Sequence, residues 1–118
     1  MPITNAQAKL LLSIWNEPDE DTRLGLIVSV MHQDCIYDDV HRESPCVGHS
    51  QFAMFITDFH RQARGMKFVL DGEVDSVRDF GRIRFKVQRD GDPFGNGTYF
   101  ALQAEDGRLR EVFGFMGR

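Results

Sequence analysis

FAMFITDFHRQARGMKFVL, residues 52–70, decides the fold class of this chain, because its periodicity changes at Arg64-Gly65. Before that point the apolar residues recur at the spacing of an amphipathic helix, at Phe52, Phe55, Ile56 and Phe59. After it they alternate with polar residues, as in a strand, at Met66, Phe68 and Leu70. Helical patterns followed by strands in one short chain predict an α+β domain.

Two more helical patterns precede this stretch. Thr4 is a favourable N-cap and Gln7 stands three residues later, so the two are expected to form a capping box. Pro18 interrupts the first helix, and Asp19 can cap the second. The apolar stripes of these helices are Ala8, Leu11, Leu12 and Trp15, followed by Leu24, Ile27, Val28 and Met31.

The second half of the chain reads as strands joined by turns. Gly72 predicts a bend, residues 90–93 a hairpin loop and residues 105–107 a tight turn between strands 98–104 and 109–116. Hairpin-linked strands pair antiparallel. The sequence therefore predicts three N-terminal helices packed on one face of a curved antiparallel sheet, with room for a pocket between the layers.

Composition limits the classes of function. A chain of 118 residues forms a single domain, 1–118, and its 42% hydrophobic residues suffice for one core. The net charge of -4 argues against a nucleic-acid partner. The sequence shows neither a signal-peptide pattern nor a run of about 20 apolar residues, so no membrane partner and a cytoplasmic location are expected.

Metal and cofactor sites are not expected. Cys35 and Cys46 lack zinc-ligand spacing, and His32, His41, His49 and His60 form no recognised ligand pair with each other or with nearby acids. The sequence also lacks a phosphate-binding glycine loop and a dinucleotide motif. We therefore predict no metal and no cofactor.

The last two strands are apolar on both faces. Phe100 and Leu102 alternate with Tyr99 and Ala101, and the final strand repeats this pattern around Phe113 and Phe115. A sheet covered by helices on one side normally presents polar residues on the other. A homodimer through the outer sheet face would explain the pattern. Simple overpacking near the end of the sheet is the alternative.

Several local strings, in their order and spacing, resemble the nuclear transport factor 2-like superfamily, which includes SnoaL-like polyketide cyclases and ketosteroid isomerases. The strings span nearly the whole chain: residues 15–19 (WNEPD), 37–39 (YDD), 48–49 (GH), 105–109 (EDGRL) and 114–115 (GF). The chain looks most like the uncharacterised bacterial SnoaL-like members. The resemblance implies a cone of helices and a strongly bent sheet around an internal pocket.

The resemblance also implies candidate catalytic residues. Asp38 stands where ketosteroid isomerases carry their general base, and burial among apolar side chains would favour that role. The second acid of those enzymes maps to Tyr99, with Phe100 as the alternative, and a phenol can still donate a hydrogen bond to an oxyanion. The first-helix tyrosine of the isomerases maps near Ile14 and Trp15. The alternative for Asp38 is the start of a solvated loop.

The expected pocket holds a small hydrophobic molecule. Its predicted lining consists of Trp15, His32, Tyr37, Phe52, Phe55, Phe59, Phe68, Val112 and Met116. His32 could orient Asp38, or it could be a cation at the end of the second helix.

Two functions follow from this pocket. The chain is either a cofactor-free isomerase or lyase that uses Asp38 and Tyr99, or a non-catalytic ligand-binding protein. A third hypothesis is a dimeric interaction module whose cavity is filled by Phe side chains.

Overall fold

The computed structural model describes residues 2–117. Three helices are observed: α1 Asn5–Asn16, α2 Glu20–Val30 and α3 Gly48–Gln62. The strands are β1 Met31–Asp39, β2 Cys46–Val47, β3 Met66–Leu70, β4 Asp75–Val77, β5 Phe80–Arg89, β6 Asp92–Gln103 and β7 Leu109–Met116. The helices lie against a curved, unclosed sheet, which confirms the predicted α+β class.

Local side chains define the starts of the first two helices. Thr4 accepts a hydrogen bond from the Gln7 N–H at 3.1 Å, and Asp19 accepts one from the Thr22 N–H at 2.9 Å. The predicted capping box is half formed, because the Gln7 side chain does not return to Thr4. It donates instead to the Gly107 carbonyl at 2.6 Å and so ties α1 to the turn before β7.

The strand order is β2-β1-β7-β6-β5-β3, with β4 also paired to β5. Strands β5, β6 and β7 pair antiparallel as predicted, but β1 runs parallel to β7. The sheet is therefore mixed rather than purely antiparallel. No hairpin connects β1 to β7, so turn residues carry no information about the direction of that pairing.

Bends and bulges give the sheet its curvature. The chain bends at Gly72, as predicted, so that β3 and β4 pair with separate parts of β5. Register shifts interrupt the β1–β7, β5–β6 and β6–β7 pairings. The hairpin at Asp90-Gly91 is tighter than predicted, because pairing already begins at Asp92. The sheet is thereby bent around the helices.

The core lies between the helices and the concave face of the sheet. Its aromatic members include Trp15, Tyr37, Phe52, Phe68, Phe85 and Tyr99, all nearly fully buried. The convex face exposes large apolar side chains on β6 and β7, among them Phe100 and Phe115. No helix within residues 2–117 is long and apolar enough to cross a membrane.

Candidate functional site

A cavity of about 260 Å³ lies inside the cone, between the helices and the concave face of the sheet. Most of its wall is aromatic, methionine or valine. The lining residues are Trp15, Tyr37, Asp39, His41, Phe55, Phe59, Met66, Phe68, Val87, Phe94, Tyr99, Gly114 and Met116. The larger depressions among the described residues are more open surface grooves lined by several charged side chains, such as the one between α2 and α3. The internal cavity is therefore the candidate site.

Trp15 forms one wall of the cavity. It is the fourth residue of the α1 apolar stripe, so the helix directs it to the sheet. Its indole stacks on Tyr99 and Phe68, with ring centroids 5.1 and 5.6 Å apart, and contacts Tyr37 at 5.6 Å. Such contacts add to the stabilisation from buried area. Trp15 thus joins the helical layer to the wall of the site.

Asp39 supplies the carboxylate of the cavity. It is the last residue of β1 and shares the inward face with Tyr37, two residues earlier. The Tyr37 hydroxyl donates to Asp39 Oδ2 at 2.6 Å, and the His41 backbone N–H donates to Oδ1 at 2.9 Å. Each carboxylate oxygen retains a further acceptor position. A ligand in the cavity can therefore donate a hydrogen bond to Asp39.

The phenol of Tyr99 lies beside that of Tyr37. Burial raises the pKa of both groups, and the negative charge of Asp39 raises both pKa values further. A hydrogen bond between the two phenols raises the pKa of Tyr37 and opposes the increase at Tyr99. Of the two hydroxyls, that of Tyr37 donates to Asp39.

Gly114 on β7 allows Tyr99 to occupy this position. A Cβ atom at Gly114 would lie 2.7 Å from Tyr99 Cε1 and 3.2 Å from the Cβ of Asp39. Real Cβ atoms essentially never come within 3.0 Å of another atom, so a side chain here would displace the ring of Tyr99. Gly114 thus leaves the space that this ring occupies.

We expect neither tyrosine to ionise near pH 10 in the folded protein. Tyr37 and Tyr99 are the two tyrosines of the chain, and the pKa of each is raised above 10.0. Above pH 10 the unfolded state loses these protons while the folded state retains them. The contribution of the two phenols to the free energy of unfolding is therefore fully present below pH 10 and is lost as the pH rises above it. Phenolate absorbance should appear only as the protein unfolds. A phenolate titrating near pH 10 in folded protein would contradict this prediction.

The structure brings together most of the predicted site residues. Those that line the cavity are Trp15, Tyr37, Phe55, Phe59, Phe68, Tyr99 and Met116. Asp38, however, lies outside it. Since side chains alternate along a strand, Asp38 points to the opposite face from Tyr37 and Asp39, where it pairs with Phe113 of β7. Asp38 was expected in the pocket, but the carboxylate that lines the cavity is that of Asp39.

Three other predicted residues also lie outside the cavity wall. Phe52 and Val112 are fully buried behind it, and Phe52 packs on Tyr37 with centroids 5.0 Å apart. His32 lies at the start of β1, not at the end of α2, and accepts a hydrogen bond from the Asp34 N–H at 3.1 Å. It is separated from Asp38 by most of the strand, roughly 20 Å, and from Asp39 by one residue more. His32 therefore cannot orient either carboxylate.

The structure adds lining residues that the sequence interpretation missed, namely Asp39, His41, Met66, Val87, Phe94 and Gly114. For Asp39 the information was present in the sequence, because a strand that buries Tyr37 also directs residue 39 inward. Within residues 2–117, no group of three or more His, Cys, Asp or Glu side chains is placed to hold a metal ion.

Comparison with known proteins identifies similar structures but no similar family model and no matching curated protein. A proposed isomerase of the SnoaL-like family from Agrobacterium tumefaciens is 27% identical, with a TM-score of 0.88 and 96% of each chain covered. A proposed SnoaL-like polyketide cyclase from Jannaschia is 15% identical, with a TM-score of 0.74, 98% of this chain and 88% of that chain covered. A proposed ketosteroid isomerase from Kribbella flavida is 13% identical, with a TM-score of 0.72, 100% of this chain and 82% of that chain covered. The resemblance to nuclear transport factor 2-like proteins is confirmed at the level of the fold.

Proposed function

We propose that this chain, which has the nuclear transport factor 2-like fold, binds a small and largely apolar molecule in the cavity that Asp39 faces. The observation that carries this proposal is the wall itself, which combines aromatic and aliphatic side chains with a hydrogen-bonding carboxylate. Ligand sites in proteins have this composition, in which apolar area provides affinity and a few polar groups fix orientation.

The cavity volume limits the size of the ligand. An engineered cavity of about 150 Å³ accommodates benzene, and pockets for drug-sized ligands begin at roughly 300 Å³. The volume here, about 260 Å³, falls between the two. It exceeds the space that a few water molecules occupy, so it argues against a cavity that is filled by Phe alone. It favours a ligand closer in size to benzene than to a steroid.

A Val87→Phe variant tests binding, because it adds a ring inside the cavity. Val87 is buried in the cavity wall on β5, whereas Val69 on β3 is exposed and serves as the matched control for a Val→Phe substitution. In the parent protein and the Val69→Phe variant, cyclohexanone should raise Tm by mass action and change the fluorescence of Trp15, the single tryptophan.

The Val87→Phe variant should lose both responses while remaining folded by circular dichroism. Phenol, added as a free small molecule, serves as a second probe. If neither cyclohexanone nor added phenol changes Tm or the Trp15 emission of the parent protein at high concentration, the binding proposal is wrong. If Val87→Phe responds like Val69→Phe, the ligand binds elsewhere.

The second candidate function is proton transfer within the same cavity, as in a cofactor-free isomerase or lyase. The proximity of a carboxylate and a phenol in an apolar cavity favours it. Asp39 would take a proton from the carbon next to a carbonyl group, and the C–H electron pair would form the enolate. The hydroxyl of Tyr99 would donate a hydrogen bond to the enolate oxygen, which stabilises the developing charge. Returning the proton to a different carbon completes an isomerisation.

We also propose that the chain forms a homodimer through the convex face of β6 and β7. Three aromatic side chains support it: Phe100, Phe113 and Phe115 are 44%, 37% and 50% exposed. Phe100 and Phe113 are cross-strand neighbours, and the rings of Phe100 and Phe115 meet edge to face at 5.7 Å. Apolar patches of this kind are characteristic of protein interfaces.

A Phe113→Glu variant tests the dimer. We expect the parent protein to have twice the 13.5 kDa mass of one chain by light scattering, and the variant to have the monomer mass. A charge in the centre of an isologous interface meets its own copy, so the repulsion is strong. Met54→Glu, at a 68% exposed position on α3, is the control and should stay dimeric. A monomeric parent protein at micromolar concentration would contradict the proposal.

A further inference from the structure

Among residues 2–117, no cationic side chain forms a salt bridge with Asp39. The salt bridges within residues 2–117 use other carboxylates, those of Asp58, Asp71, Asp75 and Asp106. The partners of Asp39 are the Tyr37 hydroxyl and the His41 backbone N–H, both neutral. The negative charge therefore faces the cavity, and no side chain in the described part of the chain neutralises it.

An apolar ligand changes the electrostatics of this carboxylate. When a ligand fills the cavity it removes water from Asp39, and burying an uncompensated charge is costly. A neutral ligand leaves this cost in place, and an anionic ligand adds repulsion. A ligand with a positive charge compensates the carboxylate in the same step. The site should therefore bind a cation more tightly than a neutral or anionic ligand of the same shape.

The aromatic wall favours the same charge. The faces of Trp, Tyr and Phe rings carry negative electrostatic potential and attract cations, most strongly when water is excluded. Seven such rings line the cavity that Asp39 also lines, those of Trp15, Tyr37, Phe55, Phe59, Phe68, Phe94 and Tyr99. A cluster of rings around one carboxylate is suited to a cation whose own surface is apolar.

Two arginines already form cation–π contacts with rings of the cavity wall. The guanidinium carbon of Arg42 lies 4.7 Å from the centroid of Phe55, and that of Arg89 lies 5.1 Å from the centroid of Phe94. Both rings line the cavity. Arg89 is exposed and Arg42 half-buried, so solvent screens their repulsion of a bound cation.

We infer that the ligand of the cavity is a small lipophilic ammonium ion, held by its alkyl surface against the aromatic rings and by its charge opposite Asp39. This inference rests on the proposed binding function and names the class of ligand. The volume of about 260 Å³ accommodates a trimethylammonium group with a short substituent.

Choline and its neutral carbon isostere 3,3-dimethyl-1-butanol form the matched pair of probes that tests the inference. They share shape and hydroxyl group and differ in the charge of the quaternary centre. Titration followed by Trp15 fluorescence should show choline binding at least about tenfold more tightly. The Asp39→Asn variant should lose most of this preference and retain binding of the neutral isostere. Asp34→Asn removes the same charge from an exposed position of β1 and should keep the preference.

The outcomes separate the inference from the function on which it rests. Equal or tighter binding of 3,3-dimethyl-1-butanol overturns the ammonium inference and leaves the binding function supported. A choline preference that Asp39→Asn does not reduce also overturns it. If neither probe binds but cyclohexanone does, the ammonium inference again fails alone. If none of the three binds, the binding function itself is wrong.

Discussion

The Asp39→Asn variant is expected to exchange the α protons of cyclohexanone at least about 100-fold more slowly than the parent protein, if the cavity transfers protons. An amide keeps the size of the side chain and an acceptor for Tyr37, but it cannot take a proton from carbon. Exchange in D₂O followed by proton NMR measures this step without knowledge of the natural substrate. Binding of the ketone, followed by Trp15 fluorescence, should survive the substitution.

Asp38→Asn is the matched control for this experiment. Asp38 is the adjacent carboxylate, but it lies on the convex side of β1 beside Phe113. We expect its loss to leave the exchange rate within about twofold, because Asp38 does not line the cavity and solvent screens its charge. Loss of exchange in Asp38→Asn with retention in Asp39→Asn would assign the base to Asp38, as the family resemblance implied. No catalysed exchange in the parent protein would leave ligand binding as the function of the cavity.

Trp15→Ala is expected to destabilise the protein by about 3–5 kcal/mol, the range for removal of a large buried aromatic side chain. Trp15 is 2% exposed and contacts the rings of Tyr37, Phe52, Phe68 and Tyr99. Its removal both loses these contacts and enlarges a cavity that already exists beside it. For a domain of this size, Tm should fall by roughly 10–20 °C.

Leu10→Ala on the same helix is the control. Leu10 is 48% exposed, so its truncation should change the free energy of unfolding by no more than about 0.5 kcal/mol. Urea denaturation of both variants measures the difference. A loss below about 1 kcal/mol for Trp15→Ala would mean that the layers are joined mainly by other residues, contrary to the ring contacts.

Much of the fold could be predicted because the local patterns agree with the tertiary structure. The stripe that begins at Phe52 became α3, and the alternation from Met66 became β3. The first two helices begin where the side chains of Thr4 and Asp19 accept hydrogen bonds from backbone N–H groups three residues later. The turns likewise depend on residues that are close in sequence. The parallel pairing of β1 with β7 depends on contacts between the two halves of the chain, which no local pattern records.

The candidate site could be predicted in composition but not in detail. The aromatic lining from Trp15 to Tyr99 follows from apolar stripes and alternation. Asp38 was expected to face the cavity, whereas Asp39 does, and in a strand a shift of one residue reverses the face. Alternation from Tyr37, a predicted lining residue, would have pointed to Asp39.

The amino-acid sequence by itself determined the helices, most of the strands and the apolar character of the space between them. Periodicity and capping are local properties, and burial of apolar surface acts without direction. The tertiary structure alone decided that Tyr37 donates to Asp39, that Tyr99 lies beside Tyr37, and that no cationic side chain pairs with Asp39 among the described residues. Hydrogen bonds and ion pairs depend on distances of a few ångströms between residues far apart in sequence, and those distances exist only once the sheet has bent around the helices.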